Sequence, residues 1–334
     1  MPIKKIILCA IITLIFSACN NEIKKDEPTN NSNTATIYHN GEIITMEGSE
    51  ATYAQVVVEQ NGEIVYVGKI RIALDKYEDA NLYDLNGKTL IPGLIEPHLH
   101  PSLAAIMLQN EIIAPYDWKL PNEIKVGVQG EDAYRKKITE SIKLNAKKNE
   151  FYFIWGYHQL WHGELSRELL NEIAGDQPVG IIHRSFHEIY LNDAGIAKLG
   201  IQEADFVDNP QVEWTKGHFY EGGWLALVPK MAPILLEPTS YLEGLSTMTK
   251  LLLKNGITTI AEPGFPSSDF DGELQLLLQE MGKNPPYDVY LIPSGTQLFG
   301  MKGGNKEAMS FMETLDTTRA YNRSNVNFLP KQVK

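Results

Sequence analysis

The chain has 334 residues, 43% of them hydrophobic and 22% charged, the balance of a soluble globular protein of one large or two smaller domains. Its net charge of -12 argues against a nucleic-acid partner, whose phosphates call for Lys and Arg. The only cysteines are Cys9 and Cys19, so disulfides, cysteine-zinc sites and cysteine nucleophiles are excluded from the body of the protein, and any metal there must be held by His, carboxylates or a modified Lys.

The first segment reads as an address. Lys4 and Lys5 precede an apolar run from Ile6 to Phe16, followed by Ser17-Ala18-Cys19. A basic start, a short apolar stretch and small residues at its end predict a signal peptide over 1–19, too short to span a bilayer as a mature helix. Phe16-Ser17-Ala18-Cys19 also resembles a bacterial lipobox, with Phe where Leu is commoner. That resemblance implies that Cys19 is lipidated and that the membrane is a partner through this N-terminal lipid; an ordinary signal with a coincidental Cys is the alternative. Asn20 is not the Asp that typically marks inner-membrane retention, so the expected location is the bacterial cell envelope, anchored at the outer membrane. Residues 20–35 are rich in Asn, Lys, Glu and Thr and read as a flexible tether.

Residues 36–88 read as short strands. Thr36–Tyr38 and Glu42–Thr45 flank Asn40-Gly41, and Ala54–Gln60 and Glu63–Val67 flank Asn61-Gly62; each Asn-Gly predicts a hairpin. Ile70–Tyr77 is weakly helical, and Leu82–Leu85 is a further strand.

The segment 89–102 carries the strongest motif. An apolar run from Thr89 to Ile95, broken by Pro92-Gly93, ends in His98-Leu99-His100. If Leu94–His100 is a strand, side chains alternate and both imidazoles face one way, close enough to share one ion. The stretch from Asn86 to His100 resembles the first barrel strand of the amidohydrolase superfamily, and within it the branch of the YtcJ-like proteins and the N-substituted formamide deformylases. Glu96 stands where that family usually has Asp. The resemblance implies an α/β protein with a metal-dependent hydrolase TIM-like barrel. Residues 36–88 would form the N-terminal part of a small β-sandwich, and an α/β insertion would occupy residues 103–240.

Within the insertion, residues 102–150 look mostly helical, most strongly Glu131–Lys148. Phe151–Tyr157 and Val179–Ile182 read as buried strands. Leu165–Ala174 reads as a helix with Ser166 as cap and Gly175 as stop, and Asn192–Leu199 as another helix. His158 and His162, four apart in an aromatic, Gly-bounded stretch, are pocket lining, ordinary core residues, or zinc ligands. Arg184 and His187 resemble the family's Arg-x-x-x-His element and either face the substrate or fix their own loop; Glu221 resembles the acidic residue of another family element. Trp155, Trp161, Trp214 and Trp224 form either an aromatic wall for an apolar substituent or plain core.

From residue 241 onward, Leu242–Lys254 reads as a helix stopped at Asn255-Gly256, followed by a strand, Ile257–Ile260. Asp271–Met281 reads as a helix, Pro286–Ile292 as a strand, and Asn325–Lys334 as the approach to a fourth. Glu262, at the end of the second strand, faces the pocket or makes a structural ion pair. Lys334 falls where the resemblance places a carboxylated lysine, so His98, His100 and Lys334 are the implied holders of a divalent metal, zinc by resemblance. The implied reaction is hydrolysis of an amide or formamide C–N bond in a small molecule by metal-activated water. A (β/α)₈ barrel takes about 250 residues, and the insertion consumes much of the chain beyond His100. The expectation is therefore a barrel that stops after strands 2–4 in 241–334, with the catalytic Asp beyond the chain end. The second reading is a non-catalytic, lipid-anchored binding or scaffold protein that keeps part of the fold.

Overall fold

A computed structural model describes residues 34–317, 325–329 and 331–334. Cys19, the signal segment and the tether up to residue 33 lie outside the described residues. The chain divides between Pro92 and Gly93 into two compact units.

The first unit holds β1 (Thr36–His39), β2 (Glu42–Ile44), β3 (Tyr53–Ala54), β4 (Val56–Gln60), β5 (Glu63–Gly68), α1 (Ile70–Lys76), β6 (Asn81–Asp84) and β7 (Thr89–Leu90). One sheet runs β5-β4-β1-β6 and the other β3-β2-β7. Alternation sends Ile37, Val56 and Val58 inward onto Ala73 of α1, and each such buried Ile or Val contributes about 1.5–3 kcal/mol. The Asn61-Gly62 hairpin forms: both residues have positive φ, 57° and 82°, and β4 pairs antiparallel with β5. The Asn40-Gly41 hairpin does not. There the chain crosses from one sheet to the other, because Asn40 is pinned to the turn after β6. Its Nδ2 donates to Asp84 Oδ1 at 2.8 Å, its carbonyl accepts from Gly87 N at 2.8 Å, and a Cβ on Gly41 would meet the Lys88 carbonyl at 2.4 Å.

The second unit opens with β8 (Leu94–Glu96) and α2 (Pro101–Gln109), which starts on a proline whose missing N–H would be unpaired there anyway. The expectation of a mostly helical 102–150 is corrected after α2, where the chain forms β9 (Glu111–Ile112) and then an antiparallel ribbon of β10 (Trp118–Lys119) and β11 (Ile124–Lys125). Pro115 and Pro121 cannot continue a helix, and Gly127 passes so close to Tyr116 that a Cβ would sit 2.7 Å from its backbone. Then come α3 (Glu131–Asn145), β12 (Tyr152–Tyr157), α4 (Gln159–His162), α5 (Arg167–Ala174), β13 (Val179–His183), β14 (Glu188–Leu191), α6 (Asp193–Leu199), β15 (Val212–Glu213), β16 (His218–Tyr220) and α7 (Gly222–Leu235).

These strands build one six-stranded mixed sheet, β15-β16-β14-β13-β12-β9. Both its faces are covered, which is why β12 and β13 read as unbroken apolar runs. On β12, Phe153 and Trp155 enter the core shared with Leu227 and Met231 of α7; Ile154 and Tyr157 enter the opposite core with Tyr134 and Ile138 of α3 and Leu170 of α5. The predicted cap at Ser166 and stop at Gly175 are present, and Asn192, read as the first residue of its helix, caps α6. Ser166 Oγ accepts from Leu169 N at 3.2 Å, Gly175 turns at φ 56°, and Asn192 Oδ1 accepts from both Gly195 N and Val179 N.

The chain closes with α8 (Pro238–Lys254), β17 (Ile257–Phe265), α9 (Phe270–Met281), β18 (Asp288–Pro293), α10 (Gly295–Lys302), α11 (Asn305–Thr317) and β19 (Val326–Phe328). Strands β8, β17, β18 and β19 form a parallel sheet in chain order, so β8 and β17 are hydrogen-bonded neighbours although the whole six-stranded sheet lies between them in sequence. Ile260, Val289, Leu291, Val326 and Phe328 pack with Leu245 and Met248 of α8 and Leu274 and Leu277 of α9. Among the described residues no helix is long and apolar enough to cross a membrane.

Candidate active site

The parallel sheet gathers chemistry at the carboxyl ends of its strands, the edge where parallel α/β sheets generally bind ligands. His98 and His100 follow β8, Glu262 and Gly264 end β17, Ser294 follows β18 and Lys334 follows β19. The strand predicted over Leu94–His100 stops at Glu96, because Pro97 has no N–H to donate and the Glu96 carboxylate turns back to accept from His98 N at 3.1 Å. Leu99 N still donates to Ala261 O at 3.0 Å. The two imidazoles on either side of it therefore stay together, with ring centroids 5.2 Å apart and planes at 88°.

Glu262 sits behind His100. Its Oε1 lies 2.6 Å from His100 Nδ1, and the carboxylate is only 2% exposed. Burial pushes the Glu262 carboxyl above its usual range, against the downward pull of the His100 hydrogen bond. Its Oε2 is buried without a hydrogen-bond partner among the described residues. Lys334 is held by its backbone, with N donating to Pro293 O at 3.1 Å and O accepting from Gly295 N at 3.0 Å. Its side chain passes over Gly264, where a Cβ would lie 3.1 Å from Lys334 Cδ.

His100 and Lys334 open into a cavity of about 400 Å³. Its floor includes Gly264, Ser267, Ser268 and Ser294. One wall is apolar and comes from α7, where Leu225, Val228 and Ala232 recur at helical spacing beside Trp224; Leu103 and Phe186 complete it. Sequence reasoning did not pick out this stripe, although its spacing is legible.

The other predicted site residues separate. His187 lines the cavity, exposed, and its Nδ1 bonds both oxygens of Glu221 at 3.1 and 3.2 Å. Arg184 is exposed outside the cavity lining, and its backbone N donates to Tyr157 O at 2.9 Å. His158 and His162 are not among the lining residues. His162 is buried, stacked on Tyr134 with centroids 3.9 Å apart; its Nε2 meets Val128 O at 2.9 Å and its Nδ1 accepts from His158 N at 3.1 Å. With both nitrogens engaged it has none left for a substrate or an ion. His158 Nδ1 accepts from Leu160 N at 3.2 Å and caps α4. Of the four tryptophans singled out, only Trp224 reaches the cavity; Trp155 is buried core, and Trp214 is partly buried beside Phe219.

A buried network absent from the sequence reading holds the floor. Glu273, 1% exposed, accepts from Ser267 N, Ser268 N and Asp269 N at 3.0, 2.6 and 2.9 Å, and from Ser102 Oγ at 2.5 Å. Tyr241 OH donates to Ser102 Oγ at 2.8 Å. The carboxylate thus ties the start of α2 to the loop before α9. A Glu in a helix's first turn is the only sequence signal of such a role, and it is a common one.

Two adjacent imidazoles with a buried, half-satisfied carboxylate behind one of them suit a divalent cation. Among the described residues, no three His, Cys, Asp or Glu side chains converge into a complete ligand set.

A model of the amidohydrolase family matches residues 81–317. The exoenzymes regulatory protein AepA of Pectobacterium carotovorum subsp. carotovorum is 40% identical over 79 residues, 23% of this chain and 17% of that protein. The LONG AFTER FAR-RED 3 protein of Arabidopsis thaliana is 25% identical over 241 residues, 69% of this chain and 38% of that protein. A metal-dependent hydrolase of uncharacterised activity from Pyrococcus horikoshii OT3 is similar in fold, with a TM-score of 0.59 at 18% identity over 81% of this chain and 50% of that one. The chain spans half or less of the length of each of these three proteins.

Proposed function

The chain belongs to the amidohydrolase family, and we propose that its His98–His100 edge is part of a site for metal-assisted hydrolysis of a carbon–nitrogen bond in a small molecule. The observation that carries the reading is the pair of imidazoles at the carboxyl end of the parallel sheet, one backed by Glu262, beside a cavity with an apolar wall. His98 and His100 would hold the ion, with Lys334 as a third candidate because it lines the same cavity as His100. The chemistry a divalent ion supplies when bound there is Lewis acidity towards water and the carbonyl under attack. The α7 wall would take the apolar part of an amide and exclude bulk water from the polar end.

The four parallel strands would be part of a (β/α)₈-like barrel, the two sheets of residues 34–92 part of a small β-sandwich, and the branch that of the N-substituted formamide deformylases. Cys19 would carry a lipid that anchors the protein at the bacterial outer membrane, a reading supported by the sequence of residues 1–19. Incorporation of labelled palmitate that is lost in Cys19→Ala tests it; equal labelling of the variant refutes it.

The metal reading is tested by zinc titration of the protein against a chromophoric chelator. The wild type should bind, and His98→Ala and His100→Ala should each bind more weakly. Undiminished binding by both folded variants refutes the site.

A further inference from the structure

We infer that Glu262 is a positioning residue that selects the nitrogen His100 presents to the ion. The inference rests on the metal reading above. A neutral imidazole donates from one nitrogen and accepts at the other, and the partner of the first fixes the role of the second. Glu262 Oε1 stands 2.6 Å from His100 Nδ1, so a carboxylate there holds the proton on Nδ1 and leaves the lone pair on Nε2.

The surrounding chain makes this a fixed arrangement. Leu99 is bonded to β17 through Ala261 O, one residue before Glu262 on the same strand. The His100 carbonyl accepts from Ala104 N at 2.9 Å, so the backbone is committed to α2 on its far side. Glu262 itself is 2% exposed and cannot swing out to water without vacating the core. The contrast with His98 is direct: it is exposed, and its ring makes no hydrogen bond among the described residues. One ligand is oriented before the ion arrives and the other is not. A carboxylate behind a ligating imidazole also raises its basicity, and loss of such a partner typically costs about 10–100-fold in metal affinity.

The experiment uses the metal-free protein and zinc alone. Long-range ¹H–¹⁵N correlation, with His100 assigned by its absence in His100→Gln, should show wild-type His100 protonated at Nδ1 and bare at Nε2. Zinc affinity should fall about 10–100-fold in Glu262→Ala. It should fall less in Glu262→Gln, whose amide oxygen still accepts from Nδ1–H. The inference is overturned if metal-free His100 carries its proton on Nε2, or if folded Glu262→Ala binds zinc as the wild type does. Equal loss in the Gln and Ala variants also overturns it, since that pattern marks Glu262 as a direct ligand. Should Glu262→Ala fail to fold, the wild-type tautomer and the isosteric Gln variant still decide. His98→Ala separates the two claims: if it and His100→Ala keep wild-type zinc binding the metal reading fails, whereas loss in those two with none in Glu262→Ala removes only the role of Glu262.

Discussion

Ser102 Oγ donates to Glu273 Oε2 at 2.5 Å across 171 positions of sequence, and this buried bond joins the helix after the histidine pair to the loop under the cavity. Glu273 is the acceptor for three backbone N–H groups as well. Glu273→Ala would take the acceptor from the buried Ser102 hydroxyl, where an unpaired donor costs about 1–3 kcal/mol, and from three backbone N–H groups that lie nearer the surface. Urea unfolding should show a loss of about 1.5–3 kcal/mol, the range for losing hydrogen bonds to a carboxylate. Glu273→Gln, which keeps an acceptor, should lose less. A Glu273→Ala protein within about 1 kcal/mol of wild type would mean that the network contributes nothing to holding the fold.

His162 gives a stability signature in pH. Burial holds its imidazole down to about 4 from an ordinary 6.5, against a hydrogen bond to Val128 O that acts upward. Between these values the unfolded chain binds a proton that the folded chain does not, so this contribution is complete above pH 6.5 and is lost as pH falls towards 4. His162→Phe keeps the stack on Tyr134 and removes the titration. It should be less stable than wild type at pH 7.5, yet its unfolding midpoint should fall less between pH 6.5 and 4. Parallel pH profiles for the two proteins would show that His162 is not the group responsible.

Elements whose cause is local were legible in the sequence. Ser166, Gly175 and Asn192 announce their helix ends because capping needs only neighbouring atoms. The apolar runs of β12 and β13 announce strands buried on both faces. Asn40-Gly41 misled because an Asn-Gly pair reports a left-handed turn and says nothing of which strands leave it; the partner at Asp84 lies 44 residues on. The site divides in the same way. His98-Leu99-His100 is a spacing, and spacing can be read. That Glu262 lies behind His100, or that Glu273 reaches Ser102, depends on sheet order and helix packing that bring residues more than 160 positions apart together. His162 was ambiguous because its aromatic setting suits a pocket and a core equally, and only the stack on Tyr134 separates them.

The α7 face should control what the cavity accepts. Val228 and Ala232 are half-buried and line it one turn apart, so a change there alters the cavity without opening a core. Ala232→Trp should fill much of the about 400 Å³ space and abolish binding of a small N-aryl formamide, read by chemical-shift changes on α7. Val228→Asp should weaken the same ligand by about tenfold or more, since a buried carboxylate facing an apolar group costs over about 1.4 kcal/mol. Shifts that persist in both variants would place the ligand elsewhere.

Gly264 tests whether Lys334 belongs to this edge. Its φ is 130°, a region that side chains rarely adopt, and a Cβ there would lie 3.1 Å from Lys334 Cδ and 3.6 Å from Nζ. Gly264→Ala therefore brings two effects: backbone strain of about 1–3 kcal/mol, and displacement of the lysine stem. The first alone would lower stability and leave the chemistry of Lys334 unchanged. The second should also raise the reactivity of Lys334 towards a mild amine-acylating reagent, read by peptide mapping against the exposed Lys136 as internal standard. A variant that is destabilised but shows an unchanged ratio would mean that the lysine stem does not rest on Gly264, and that its place at the carboxyl end of the sheet is held by the backbone bonds to Pro293 and Gly295 alone.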